Sequence, residues 1–298
     1  MSSDVDVVAI VNPISGAGLD RETAGRRVQT LERELGRRQM RGTIVLTTGP
    51  GHARELSSAA RDRGASLVLV WGGDGTVNEA GSGLVGGQTA LGLIPAGSGN
   101  GLAAALALPR RPEAAIAAAL DGTRRAIDVG IINGRPFFNV AGIGFDARIA
   151  RLFNQRAAGR RGRWPYVAIG VAEGCRYRAE EYTVRLDGSD CRLKALLIAF
   201  ANGREFGMGA RIAPQADLTD GYLDAVLVED RRLARRFWDS RHLALGTIAR
   251  APRIIQRQVR EARIESSEPL EYHADGEPGI ARGAIDVSIR PRALWVKA

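Results

Sequence analysis

The stretch Trp71-Gly72-Gly73-Asp74-Gly75-Thr76-Val77-Asn78-Glu79 carries the fold of this chain. An apolar run, Leu67 to Val70, leads into it and reads as a parallel strand buried on both faces. Three glycines within four residues follow, so the backbone can come close to a ligand there. Asp74 sits inside the turn, and Thr76 and Asn78 are residue types that cap a following helix. Strand, glycine turn and helix start are how α/β proteins hold phosphate, with backbone N–H groups and the helix N-terminus both facing the anion. A tight strand-to-helix turn without a ligand has the same local pattern, so the flanking chain has to decide.

Upstream, Val5 to Val11 reads as a first strand ending in Asn12-Pro13-Ile14-Ser15-Gly16-Ala17-Gly18, a second glycine-bearing loop. Leu19 to Arg38 has helical spacing at Val28, Leu31 and Leu35. Thr43 to Leu46 reads as a strand, followed by Thr47-Thr48-Gly49-Pro50-Gly51 and a helix to about Arg63. Downstream, Gly92 to Ile94 ends a strand that runs into Pro95-Ala96-Gly97-Ser98-Gly99-Asn100-Gly101, a third glycine loop before a helix from Leu102 to Leu106. Pro112 to Leu120 reads as a further helix. Strand and helix alternate with short connections, which predicts a parallel sheet covered by helices. Ligands bind beyond the carboxyl ends of such strands, and the glycine loops all fall at that edge.

The pattern changes near residue 125. Ile127 to Ile132 and Pro136 to Val140 read as a hairpin turned by Asn133-Gly134. Helices are expected near Phe145 to Ala157, Trp164 to Tyr177 and Arg231 to Arg250. Strands are expected at Tyr182–Leu186, Leu193–Ala201, Leu223–Val228, Val259–Ser266, Leu270–His273, Ala284–Arg290 and Leu294–Val296, a series that reads as a β-sandwich. The expected domains are 1–125, a nucleotide-binding α/β domain, and 126–298, a β-rich substrate domain whose last strand can return to the first.

The 298 residues carry a formal net charge of +9, almost all of it arginine, since Lys194 and Lys297 are the only lysines. Such charge suits an anionic substrate, a membrane surface or nucleic acid, and it is also what a GC-rich genome produces, so it selects nothing alone. Arg156, Arg160, Arg161 and Arg163, with Phe153 and Trp164 nearby, form the densest basic patch. It reads either as a solvated loop or as a contact with an anionic bilayer. No run approaches the roughly twenty apolar residues of a membrane span. The polar start does not read as a signal peptide, so a cytoplasmic location is expected. Cys175 and Cys191 read as thiols, and His52, His242 and His273 have no zinc-ligand spacing.

In this order the loops resemble the diacylglycerol kinase catalytic-domain family, which includes bacterial lipid kinases, sphingosine kinases and ceramide kinases. The likeness runs through Asn12-Pro13-Ile14-Ser15-Gly16, Gly72-Gly73-Asp74-Gly75-Thr76, Pro95-Ala96-Gly97-Ser98-Gly99-Asn100, Asn139 to Asp146, Ala201-Asn202-Gly203, Asp217 to Asp224 and Asp275-Gly276-Glu277. The central loop is shared with NAD kinases; the first loop, the third loop and the late Asp-Gly-Glu are more specific. Asn100 is followed by Gly101, where many bacterial diacylglycerol kinases have Asp. That brings the third loop nearer the sphingosine-kinase side and leaves the acceptor lipid open.

The resemblance implies an ATP- and Mg²⁺-dependent transfer of phosphate to a lipid hydroxyl, with an NAD-kinase-like or diacylglycerol-kinase-like α/β domain and a C-terminal β-sandwich. It implies nucleotide contacts from Asn12, Pro13, Ser15, Gly16, Thr47, Gly72, Gly73, Asp74, Gly75, Thr76, Asn78 and Ser98. Phosphoryl transfer needs positioning and charge neutralisation. An acidic Asp74 beside phosphate therefore needs an intervening cation, held through water. By resemblance the base lies at Asp275 or Glu277, and a second, structural Mg²⁺ belongs at Asp217, Asp220 and Tyr222; Asp224 is expected to face solvent. An acyl cleft is expected beside Gly142 to Asp146. The expected partners are ATP and a lipid reached by transient contact with the membrane surface, not nucleic acid, and a homodimer stays open. The alternatives are a soluble-substrate kinase of the NAD-kinase kind and a non-enzymatic protein binding anionic surfaces or nucleic acid.

Overall fold

Four strand–helix repeats build the first of two units in the computed structural model, which describes residues 6–16, 21–156, 173, 177–204, 211–230 and 254–298. This unit takes in the chain up to Ile127 together with Arg292–Ala298. Its elements are β1 (Val7–Val11), α1 (Arg21–Arg37), β2 (Gly42–Leu46), α2 (His52–Asp62), β3 (Leu67–Gly72), α3 (Asp74–Leu84), β4 (Ala90–Pro95), α4 (Gly101–Ala105) and α5 (Pro112–Asp121). The strands run parallel in the order β4-β3-β1-β2. Every residue of β1 and β3 is buried, as strands covered on both faces require. Leu31 and Leu35 of α1 and Ile116 and Ala119 of α5 share one core with Leu67, Leu69 and Trp71 of β3. Gly92 lets α5 approach β4, since a Cβ there would stand 2.7 Å from Ala119 Cβ. The register pairs Val11 with both Leu46 and Trp71, and Gly72 with Pro95, so the strands end level. All four following loops therefore leave from one edge.

The second unit is Asp128–Pro291. The chain enters it along β5 (Arg124–Ile132), which is followed by β6 (Arg135–Phe137), β7 (Val140–Gly144), α6 (Phe145–Arg156), β8 (Glu180–Leu186), β9 (Ser189–Ala201) and β10 (Leu223–Glu229). Next come β11 (Ile254–Val259), β12 (Glu261–Glu265), β13 (Leu270–Ala274), β14 (Glu277–Ala281) and β15 (Ile285–Lys297). The order β14-β13-β7-β9-β8-β12 is antiparallel throughout, with β10 joining β9 to β11, and the unit is a β-sandwich. Its core gathers Phe137, Tyr182, Phe200, Leu223 and Ile264. Asn133 and Gly134 both take positive φ, which is the backbone a two-residue hairpin loop demands. Across that hairpin the Phe137 ring covers Gly130, its cross-strand partner.

Three expectations change. The span Val259–Ser266 is the end of β11 followed by the separate strand β12, and the two strands expected at Ala284–Arg290 and Leu294–Val296 form one element, β15. The first half of β15 pairs antiparallel with β12, while Val296 and Lys297 pair parallel with Leu91 and Gly92 of β4. The Asp-Gly-Glu turn is followed by a strand, β14, that its Pro and Gly content conceals. Apart from Glu173 and Tyr177, the helices expected at Trp164–Tyr177 and Arg231–Arg250 lie outside the described residues, as do Cys175 and the patch residues Arg160, Arg161, Arg163 and Trp164. Among the described residues no helix is long and apolar enough to cross a membrane.

Candidate functional site

At the loop edge of the first unit the expected nucleotide residues meet through their backbones. Helix α3 starts at Asp74 with Gly73 as its N-cap, so Thr76 and Asn78 lie inside the helix rather than capping it. The Thr76 hydroxyl instead accepts from Asn12 Nδ2 at 2.7 Å, tying the third strand's loop to the first. The space beside Gly72 is taken by Thr76, 2.7 Å from where a Cβ would sit. Gly73 lies against Gly97, whose Cα would be 3.2 Å from a Gly73 Cβ. These glycines let two loops touch each other, besides any ligand.

Asp74 holds the third loop, not its own turn. Its Oδ2 accepts from Asn100 N at 2.8 Å and its Oδ1 from Gly101 N at 2.7 Å, at the start of α4. Asn100, at φ 55°, closes the loop around exposed Ser98 by bonding Gly97 N and Gly97 O at 2.8 and 2.7 Å. In the first loop Asn12 N donates to Trp71 O, and Asn12 Oδ1 receives Ile14 N. Ser15 is buried, its hydroxyl donating to Asn12 O. Gly16 takes φ 84°, with Ala96 O 2.8 Å from the place of a Cβ. Thr47 N donates to Val11 O, and Glu79 of α3 accepts from Gly51 N at 2.8 Å and Ala53 N at 3.3 Å where α2 begins. The edge thus brings together Asn12, Pro13, Ser15, Gly16, Thr47, Gly72, Gly73, Asp74, Gly75, Thr76 and Ser98, with Asn78 one turn into α3. Sequence reading missed Arg27, Glu79 and Asn100 as the braces of these loops.

In the second unit Asp275 (φ 49°) and Gly276 (φ 88°) turn β13 into β14. The Asp275 carboxylate accepts from three backbone donors, Phe138 N, Asn139 N and Val140 N, at 2.8 to 3.0 Å. Gly276 N donates to His273 Nδ1 at 3.2 Å, Asn154 Nδ2 to Gly276 O at 3.1 Å and Arg135 to Pro278 O at 3.0 Å. Glu277 opens β14 and is exposed. Beneath the turn His273 and Asp146 are both buried, Nε2 standing 3.3 Å from Oδ2. Because Nδ1 accepts, the ring proton sits on Nε2 and is donated to Asp146. This pair also takes the space beside Gly142: a Cβ there would stand 2.7 Å from His273 Nε2.

The acidic turn holds its own backbone. Asp217 Oδ1 accepts from Thr219 N and its hydroxyl, Asp220 Oδ1 from Tyr222 N, and Tyr222 OH from Arg260. No cluster of three His, Cys, Asp or Glu that could hold a metal occurs among the described residues. A carboxylate absent from the sequence reading, Asp128, is fully buried under this turn and accepts from Gly221 N at 2.7 Å. Asn202 donates to Asp128 O and Phe138 O, which leaves its buried Oδ1 without a partner. The side chains at this turn, Asp128, Asp217, Asp220 and Tyr222, offer oxygen donors only, the kind of set that fits a hard, hydrated cation such as Mg²⁺. Asp224 does not face solvent: it is buried on β10, Gln256 donates to it at 3.2 Å, and burial raises its pKa.

Comparison with known proteins places the chain. Residues 6–132 match the diacylglycerol kinase catalytic domain, and residues 139–298 match the YegS C-terminal NAD kinase beta sandwich-like domain. The chain belongs to the diacylglycerol kinase catalytic-domain family and is an enzyme of the lipid-kinase class. It is 38% identical to a diacylglycerol kinase of Mycobacterium tuberculosis, over 97% of this chain and 94% of that protein. It is 30% identical to a YegS-like lipid kinase of Cronobacter sakazakii, over 86% and 89% of the two chains. A crystal structure of a diacylglycerol kinase from Bacillus anthracis shares the fold, with a TM-score of 0.74 at 20% identity over 100% of this chain and 98% of that one.

Proposed function

We propose that this enzyme transfers the γ-phosphate of ATP, with Mg²⁺, to the hydroxyl of a diacylglycerol, sphingoid base or related lipid. The observation that carries the reading is the bracing of the glycine loops by Asp74, Asn100 and the Asn12–Thr76 bond at one edge of a parallel sheet. Such an edge offers polyphosphate a fixed set of donors. Asn12, Ser15, Gly16, Thr47, Gly72, Gly73, Gly75, Thr76 and Ser98 would line it. Bound Mg²⁺ would neutralise phosphate charge, held through water by Asp74; a second ion would belong with Asp128 and the Asp217–Tyr222 turn.

The lipid hydroxyl loses its proton as its oxygen bonds the γ-phosphorus and the bond to ADP breaks. A carboxylate in reach can take that proton. Glu277 is the assigned base. Asp275 is the framing residue, since its carboxylate holds three backbone donors of the neighbouring segment. The lipid would be met at a bilayer surface by peripheral contact of a cytoplasmic protein.

The test incubates the protein with γ-labelled ATP, Mg²⁺ and vesicles containing diacylglycerol or sphingosine, with NAD as a parallel acceptor. Label in the organic phase is expected. Label on NAD and none on lipid would replace this reading with the soluble-substrate alternative.

A further inference from the structure

Arg27 belongs to none of the glycine loops, yet the first of them is built on it. It lies on α1 and is 8% exposed. One terminal nitrogen donates to Asn12 O at 2.7 Å and Ser15 Oγ at 2.9 Å, and the other to Ser15 O at 2.7 Å. The guanidinium carbon stands 5.6 Å from the centre of the Trp71 ring, at the end of β3. Gly16 lies beside it, since a Cβ there would stand 3.4 Å from the guanidinium, an ordinary van der Waals distance.

All three of these acceptors are neutral. Among the described residues no carboxylate pairs with Arg27, and burial alone lowers its pKa. A guanidinium nevertheless stays charged at any working pH. Its contrast on the same helix face is Arg38, just past α1, which shares its charge between Glu34 at 2.9 Å and Asp121 at 2.6 Å. A cation removed from water without a counter-charge is costly, and burial in a low dielectric also strengthens its pull on any anion that arrives. A chain that only needed to tie down Asn12 and Ser15 could do so with a neutral donor.

We propose that Arg27 is a positioning residue for polyphosphate: it clamps the Asn12–Gly16 loop from below, and its charge is balanced by the phosphates of a nucleotide bound on that loop. This rests on the reading that these loops hold ATP. The charge would act through the loop, so its effect grows with the number of phosphates on the ligand. A purely structural clamp would affect every nucleotide alike.

The test uses the full chain and titrates AMP, ADP and ATP with Mg²⁺ by calorimetry, for wild type, Arg27→Lys, Arg27→Gln and Arg27→Met, with circular dichroism checking the fold. Arg27→Gln keeps hydrogen-bond donors and drops the charge, so the proposal stays testable if Arg27→Met does not fold. Arg27→Gln is expected to weaken ATP binding about 10- to 100-fold and AMP binding less than about threefold, Arg27→Lys to recover most of the loss, and KM for ATP to rise while kcat holds within about threefold. Equal losses for AMP and ATP, or ATP affinity within twofold of wild type, would overturn the role given to Arg27 and leave the ATP reading intact. Wild type that binds none of the three nucleotides would overturn the ATP reading, and this proposal with it.

Discussion

Each unit contains an Asp-Gly pair at a strand end, and the two aspartates work differently. Asp74 reaches across to another loop and holds two backbone N–H groups, of Asn100 and Gly101. Asp275 holds three, all from the segment Phe138 to Val140. In the first unit the glycines do as much as the carboxylate, since Gly73 and Gly97 touch backbone to backbone. In the second unit side chains do it: His273, Asn154 and Arg135 each bond the turn that carries Glu277. A motif aspartate is therefore no guide to its own role. Both carboxylates first serve to fix a neighbouring segment, and what chemistry they add depends on what stands beside them.

The comparison breaks most visibly in turnover. Glu277→Gln is expected to lower kcat about a thousandfold with an unchanged melting temperature, whereas Asp275→Asn should lower both. Lipid phosphorylation rates beside calorimetric melting curves check this, and full activity in Glu277→Gln would return the base to Asp275. Asp275→Ala leaves three N–H groups without their acceptor. It should cost about 2–4 kcal/mol of stability, read by urea unfolding. Gly99→Ala sharpens the first unit's side. A Cβ there would sit 2.6 Å from Asp74 Oδ2, so the loop must shift, at about 1–3 kcal/mol and with weaker ATP binding by calorimetry.

The smallest effects are in pH, and their signs differ between the units. Hydrogen bonding from Arg38 lowers the pKa of both Glu34 and Asp121 in the first unit. Their contribution is complete above the ordinary carboxylate pKa and is lost as pH falls through the depressed folded values. Arg38→Met should therefore flatten the fall of melting temperature below about pH 4. Asp224 in the second unit goes the other way, because burial raises its pKa. The charged form is penalised at pH 7, and the penalty lifts as pH falls through the raised value toward the ordinary one. Asp224→Asn is expected to raise the melting temperature by about 1–2 °C at pH 7, with the gain shrinking as pH falls toward 4.

Strands and loops of the first unit were legible because β1, β3 and β4 are nearly unbroken apolar runs that lead into glycine-bearing loops. The Asn133-Gly134 hairpin was legible because both residues favour positive φ. What escaped was pairing over distance. Asp275 meets the 138–140 segment across 135 to 137 positions, and Asp128 meets Gly221 across 93. No local spacing encodes either. Arg27 looked like any charged residue on a helix with many, and only the loop packed on it makes it different. Asp224 follows an acidic turn and so reads as surface, but it is the second residue of β10, a central strand flanked by β9 and β11.

Strand β15 has a consequence for synthesis on the ribosome. The strands β1 to β4 emerge early, but the partner that covers the outer side of β4, Val296 and Lys297, follows it by about 200 residues. At ordinary elongation rates the nascent first unit waits on the order of ten to forty seconds with the apolar β4 edge uncovered. During that interval the growing chain is most exposed to wrong pairing with a neighbour, and a chaperone that shields a strand edge would act there.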